Sequence, residues 1–234
     1  MSQEYYKQDD IYIKKDKKIV VKELYKEIKK TIEKNYEETK NLDILDIGAA
    51  SGELLYYLKD CFNIENTLFG IEKSPDLVKN AKLRFGDENI EFIEEDAQTF
   101  KVNKKFDVII MKGVITIFDD FKPSIDRILE HLKKDGMAVI VSIFNDYEID
   151  VRIKFKKKED VEWNTGYNLF PISDVQNYIK IKGFKTEVYE HVMPFDLEKQ
   201  ENHLRAWTVN LNGKRHLING LNLIYNMKIL VIKK

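Results

Sequence analysis

A short apolar run, Ile44-Leu45-Asp46-Ile47, breaks into Gly48-Ala49-Ala50-Ser51-Gly52 and continues into a segment with helical character over 52–59. Strand, small residues, helix is the order found where open parallel sheets bind ligands. The ligand lies at the carboxyl edge of the strands, and side chains of one carbon or none let it approach the backbone. A dinucleotide fingerprint wants G-x-G-x-x-G, and Ala50 stands where the middle glycine would be. A pyrophosphate would therefore be poorly seated. A tight structural turn could use the same residues, so this segment alone indicates a candidate ligand site and no more.

The surrounding pattern extends that junction into a fold. Residues 18–38 place Ile19, Val20, Leu24, Ile28 and Ile32 three or four apart among lysines and glutamates, the spacing of an amphipathic helix. Strands are then expected at 42–47, 67–71, 90–94, 106–111 and 137–144, rich in Ile, Val and Phe and bounded by Gly, Asp or Asn. Helices are expected at 52–59, 74–85 and 123–132, with Ser74 as cap, Pro75 at the first helical position and Asp135-Gly136 as a helix stop. Alternating β and α implies a parallel sheet wrapped by helices.

Beyond Asn145 the regularity fails. Residues 145–170 hold a charged run, Lys154-Phe155-Lys156-Lys157-Lys158, and an aromatic, turn-rich one, Trp163-Asn164-Thr165-Gly166-Tyr167-Asn168-Leu169-Phe170, expected as an insertion over the sheet mouth. A helix over 173–181, a strand over 184–192, a hairpin about Asn212-Gly213 and a last strand over 227–232 follow. The expected division is an N-terminal helical and lid segment over 1–40 and one domain over 41–234, with elaborations at 145–170 and 195–222.

With 39 basic and 40 acidic residues, no global field draws this chain to nucleic acid or anionic membrane, so a small-molecule partner is expected. The first ten residues are too polar for a secretory signal and no apolar run is long enough to span a bilayer, which points to the cytoplasm. Cys61 is the only cysteine and reads as helix core rather than nucleophile.

Two acids complete a pattern with the glycine turn. Glu72 ends the second expected strand, where a carboxylate can accept from both hydroxyls of a ribose lying across the turn. Asp96 follows the third, in Glu94-Glu95-Asp96-Ala97, where an acid can accept from an exocyclic amine. At these positions the chain resembles the class I S-adenosylmethionine (SAM)-dependent methyltransferases, over about residues 40–145; Lys105 to Val114 is similar to that family's fourth-strand motif. The resemblance implies an α/β, Rossmann-like, mostly parallel seven-stranded sheet of order 3-2-1-4-5-7-6 flanked by helices, with an inserted cap and a late hairpin. It also implies SAM as cofactor, S-adenosylhomocysteine as product and no metal. Cofactor-binding residues would be Asp46, Gly48, Ala49, Ala50, Ser51, Gly52, Glu72, Lys73, Asp96, Ala97 and Met111, with Asp46 near the amino acid end and backbone at Gly48 facing its carboxylate.

The acceptor side is less defined. Many family members carry a histidine or acid just after strand four, whereas Val114-Ile115-Thr116-Ile117-Phe118 has neither, and the amide-methylating Asn/Asp-Pro-Pro-Tyr/Phe signature is absent. Candidate bases are His191, His203 and Asp146, with His216 and Glu148 behind them, while His131 reads as structural. Asn145, Arg152, Trp163, Tyr167 and Arg205 are candidate acceptor-binding residues, and Trp207 another aromatic of the cap. A looser likeness to methyltransferases of bacterial polysaccharide and sugar modification favours a hydroxyl of a sugar or sugar nucleotide. The alternatives are a small-molecule N-methyltransferase and a non-catalytic SAM-binding partner subunit. Tyr5 and Tyr6 are expected as a lid over the cofactor, and a homodimer is allowed for.

Overall fold

The computed structural model describes residues 12, 13 and 16–234. Seven strands form the central sheet: β1 (Ile44–Ile47), β2 (Leu68–Glu72), β3 (Ile90–Glu94), β4 (Phe106–Lys112), β5 (Leu132–Ile143), β8 (Lys185–His191) and β12 (Met227–Lys233). Their order is β3-β2-β1-β4-β5-β12-β8, with β12 antiparallel to both neighbours. Taking β8 and β12 as sixth and seventh, this is the expected Rossmann-like methyltransferase topology.

Helices α1 (Glu23–Asn35), α2 (Glu53–Phe62) and α3 (Pro75–Phe85) cover one face, and α4 (Lys122–His131) and α5 (Ile172–Ile181) the other. β4 explains why its sequence is continuously apolar. Val108 and Ile110 point into the layer with α1, α2 and α3, Ile109 and Met111 into the layer with α4 and α5, and all four are fully buried. Ser74 caps α3 as expected, its hydroxyl accepting from Leu77 N, with Pro75 at the first position.

Two expected elements differ. The helix expected within 18–38 runs from Glu23 to Asn35, and Val20 is 73% exposed. Asp135-Gly136 does not stop a helix; α4 ends at His131 and both residues lie inside β5. Pairing between β4 and β5 jumps from Phe106↔Leu132 to Val108↔Met137, so these residues form a bulge. A side chain at Gly136 would stand 2.8 Å from the Phe106 carbonyl, which is why glycine is there.

The insertion doubles back on itself through β6 (Lys154–Phe155) and β7 (Asn164–Thr165), forming a flap tied to the sheet mouth where Asn145 bridges Pro171. The hairpin of β9 (Trp207–Leu211) and β10 (Lys214–Ile218) turns through Asn212 and Gly213 at φ 51° and 76°, and β11 (Ile224–Tyr225) adds a third strand. Among the described residues no helix is long and apolar enough to cross a membrane.

Candidate active site

The turn after β1 is built on three left-handed residues, Gly48, Ala50 and Gly52, at φ 76°, 48° and 81°. Gly48 N and Ala49 N both donate to Ile71 O on β2, at 2.8 and 2.9 Å. The glycines are dictated by packing as well as by φ. A Cβ at Gly48 would lie 2.2 Å from Val114 Cγ2, and one at Gly52 would lie 2.5 Å from Phe92 Cζ. Ala50 is a non-glycine in the same conformation, a cost of about 1 kcal/mol or more. Its N–H is satisfied by Glu72 Oε2 at 3.0 Å.

Glu72 is thereby fixed. One carboxylate oxygen accepts from Ala50 N and the other from Ser74 N, both at 3.0 Å, so its plane is set between the turn and the start of α3. That orientation suits acceptance of ribose hydroxyls. Asp96 is held likewise, Oδ1 accepting from Gln98 N at 2.8 Å and Oδ2 paired with Lys73 Nζ at 2.8 Å. Lys73 and Asp96, expected on the same ligand, are thus paired with each other on the rim above β2 and β3, beside buried Ala97. Ser51 is buried, and its carbonyl accepts from Arg84 at 3.4 Å.

Asp46 is buried on β1, and burial pushes its carboxyl up to about 7, against the pull of Lys112 and with a further push from Glu72. Lys112, ending β4, is lowered by burial and partly restored by Asp46. A carboxyl that titrates near neutrality beside the turn is suited to a cationic partner, as the ammonium of an amino acid would be. The donor and acceptor set therefore fits SAM: acids for ribose and base, backbone at Gly48, and Asp46 for the amino acid end.

Around Asp46 the structure collects residues from distant parts of the chain. Lys22 Nζ stands 5.6 Å from the Tyr12 ring centre and 5.2 Å from that of Tyr25, and it donates to the Tyr25 hydroxyl at 3.2 Å. Lys112 Nζ is 5.9 Å from the Tyr25 ring and Arg205 Cζ 5.8 Å from the Tyr12 ring. Two tyrosines and three cations thus form a roof over the ends of β1 and β4. Buried Arg84 straps the chain ahead of α1 across this region, donating to Asp16 O at 2.7 Å and Lys18 O at 3.3 Å while meeting Glu53 at 3.4 Å.

The candidate bases are not gathered with this group. His191 ends β8, four strands from β1 and so about 19 Å away across the sheet. It is buried against α1, lowered by that burial against the opposing pull of Glu27 and Glu23, and its Nε2 has no hydrogen-bond partner among the described residues. Asp146 pairs with buried Lys228 at 2.9 Å. His203 is exposed ahead of β9, and His216 lies in β10 of the hairpin. His131 is structural as expected, its ring between Arg127 O at 2.7 Å and Val102 N at 3.4 Å.

Of the candidate acceptor residues, only Arg205 reaches the roof. Asn145 spends its side chain on the loop, donating to Ile149 O and accepting from Tyr147 N. Arg152 pairs with Asp150 and stacks 4.5 Å over Phe170. Trp163 is 61% exposed on the flap. Tyr167 donates to Leu204 O at 2.9 Å, tying the flap to the segment that carries Arg205. Trp207 lies under Lys199, and Met111 is buried in the layer with α4 and α5. Tyr5 and Tyr6 lie outside the described residues; Tyr12 is the aromatic seen at the mouth. Sequence reasoning missed Tyr12, Lys22, Tyr25, Arg84 and Lys112. Only Lys112 carried a signal, a lone cation closing the apolar run of β4.

The strand order and the turn with its two acids define the fold of SAM-dependent methyltransferases. A family model described as a methyltransferase domain matches residues 38–202, and the chain belongs to that family. It is 30% identical over 96 residues to malonyl-[acyl-carrier protein] O-methyltransferase of Acetivibrio thermocellus, covering 41% of this chain and 34% of that one. It is 26% identical over 145 residues to malonyl-[acyl-carrier protein] O-methyltransferase 2 of Ilyobacter polytropus, covering 61% and 51%. The chain thus spans from a third to about half of the length of these relatives. A solved SAM-dependent methyltransferase from Clostridium acetobutylicum superposes with a TM-score of 0.60 at 15% identity, over 89% of this chain and 91% of that one.

Proposed function

We propose that the protein transfers a methyl group from SAM to an oxygen of a small acceptor, free or tethered to a carrier. The observation that carries this reading is the roof, in which Tyr12 and Arg205 meet beyond Asp46 and Lys112 at the ends of β1 and β4. Glu72 and the Lys73–Asp96 pair would hold the nucleoside, and Asp46 the amino acid end. The space at the end of β4 is then left for the acceptor. A roof assembled from side chains of three segments, 12–25, the end of β4 and the stretch before β9, suits a slender acceptor better than a polymer.

The cofactor supplies an electrophilic methyl on a sulfonium. The chain's residues have to orient the acceptor in line and keep water away, which Tyr12, Tyr25 and the strap held by Arg84 are arranged to do. The oxygen reading is supported by the curated relatives, both O-methyltransferases of a malonyl group on a carrier. The sugar acceptor expected from the aromatic flap has no counterpart in those two.

The test is S-adenosylhomocysteine release from SAM with three acceptor panels: sugar nucleotides, small primary amines, and short dicarboxylic acids as monothioesters. Turnover with an oxygen panel is the expected result. Turnover confined to amines would overturn the assignment.

A further inference from the structure

The small β9–β11 sheet carries two polar groups that the described residues leave unsatisfied. Leu217 pairs with Thr208 on one side and Tyr225 on the other, so these three side chains share a face, and Leu217 is buried on it. Tyr225 is mostly buried; burial pushes its phenol well above the ordinary range, and Tyr167 of the flap is near enough to push it further. The Tyr225 hydroxyl has no hydrogen-bond partner among the described residues. Asn219, two residues beyond Leu217, is fully buried; its Oδ1 accepts from Leu221 N at 3.0 Å while its Nδ2 donates to nothing there. Buried polar groups are nearly always paired, so two orphans on one short sheet call for a partner from outside the chain. The flap nearby is held in a costly shape. Tyr167 is left-handed at φ 60°, a conformation that bulky residues avoid. Asn168 N donates to Thr116 O and Asn168 Nδ2 to Phe118 O, both at 2.8 Å, which anchors the flap to the segment leaving β4. The Tyr167 hydroxyl reaches Leu204 O at 2.9 Å, so this side chain spans from the end of β4 to the stretch before β9.

We propose that Tyr225 and Asn219 bind the acceptor away from the atom that is methylated, the hydroxyl and the amide N–H donating to an uncharged carbonyl oxygen of the amide kind; this deepens the oxygen-transfer reading above and rests on it. Two donors match one such oxygen, which has two lone pairs. The face offers no free cation that would select an anion instead. Arg215, on the same side of β10 as Leu217, is committed to Asp196 at 2.8 Å, and Arg205 is turned to the Tyr12 ring. Position separates these donors from the cofactor. Tyr225 leads into β12, which is three strands from β1 and so about 14 Å away across the sheet, whereas the candidate nucleoside and amino acid contacts lie at β1, β2 and β3. Asn219 is reached when the flap lifts from Leu204, and the strained backbone at Tyr167 favours that opening.

The test uses the full chain, carbon-13 labelled at tyrosine Cζ and saturated with S-adenosylhomocysteine, titrated with N-methylacetamide and separately with acetate and methylammonium. N-methylacetamide is expected to shift saturably the one tyrosine resonance missing from Tyr225→Phe, and the two ions to leave it in place. With whichever acceptor turns over, Tyr225→Phe and Asn219→Ser, the latter keeping an oxygen for Leu221 N, should raise KM by about three- to tenfold, the loss of one neutral hydrogen bond, with kcat and SAM affinity nearly unchanged. Because the phenol is unpaired in the free protein, Tyr225→Phe should hold or raise the urea midpoint, whereas Tyr167→Phe, which loses Leu204 O, should lower it. The proposal is overturned if the amide leaves the Tyr225 resonance unmoved, if acetate shifts it as far, or if Tyr225→Phe lowers the midpoint as Tyr167→Phe does. Amide binding with no turnover of any oxygen acceptor would sink the oxygen-transfer reading and leave this site standing. Turnover with KM unchanged in both variants would sink only the site.

Discussion

The backbone N–H of Ala50 donates to Glu72 Oε2 at 3.0 Å, joining the turn after β1 to the acid that ends β2. The carboxylate braces a left-handed alanine, and in the proposed reading it also presents itself to the nucleoside. Glu72→Ala is expected to weaken SAM binding by about 10- to 100-fold and to lower stability by roughly 1 kcal/mol, because a half-buried donor loses its acceptor. Glu72→Gln, which keeps one amide oxygen, should lose less of both. Calorimetry and urea melts of the two variants check this; unchanged SAM affinity in Glu72→Ala would remove the ribose assignment.

Gly48→Ala is expected to cost about 2–4 kcal/mol, from the left-handed φ of 76° and from a methyl meeting Val114 Cγ2. Truncating the obstacle in Gly48→Ala/Val114→Ala should restore part of that, leaving the φ cost. Ala50→Gly should stabilise by up to about 1 kcal/mol, since glycine adopts φ 48° without strain. A double-mutant cycle in urea reads the coupling directly.

Asp46 is expected to make both stability and SAM affinity depend on pH, with opposite signs. Burial raises its carboxyl from an ordinary 3.8 to about 7, so the folded state holds a proton that the unfolded chain has released between those values. Its contribution to stability is therefore fully present below pH 4 and is lost as pH rises from there through 7, a total change of roughly 4 kcal/mol. A bound ammonium favours the ionised form, so SAM affinity should fall as pH drops below 7. Asp46→Asn should raise the melting temperature at pH 8, abolish the pH dependence of SAM binding and weaken it. An unchanged pH profile in the variant would assign the titration elsewhere.

Arg84 is buried with its guanidinium shared among Asp16 O, Lys18 O, Ser51 O and Glu53. Arg84→Met should release residues 16–18 and leave Glu53 short of a partner, at a cost of about 3 kcal/mol. Amide exchange at 16–22 should accelerate well before global unfolding, with SAM dissociating faster. Exchange unchanged in this segment would mean that the strap is held by other contacts.

How far the sequence could be read depended on how local each determinant is. The parallel sheet wrapped by helices followed from the β/α alternation, and the cap of α3 from Ser74-Pro75, because both are set by neighbours in the chain, whereas the strand order was implied by the resemblance to the methyltransferases. The glycine turn was legible for the same reason, although half of its cause was not. Val114 and Phe92, which forbid a side chain at Gly48 and Gly52, are some 66 and 40 residues away. The bulge at Asp135-Gly136 was misread because a turn-favouring pair looks alike in a helix stop and in an interrupted strand. The roof was beyond reach: Tyr12, Lys22, Lys112 and Arg205 share no spacing, and their meeting is a product of tertiary packing. His191 and Asp146 sat in the expected region of the chain, yet the breadth of the sheet and the pairing with Lys228 take them elsewhere.

The position of β12 bears on how the chain is made. Within the central sheet β8 touches only β12, and β12 separates it from β5. During synthesis β1 to β5 can pair as they emerge, while β8 waits unpaired until residues 227–233 are free to enter beside it. The elaboration that carries Arg205 is looped out between those two strands. The turn after β1 with Glu72 and Asp96 can therefore assemble before the strand that closes this elaboration has docked.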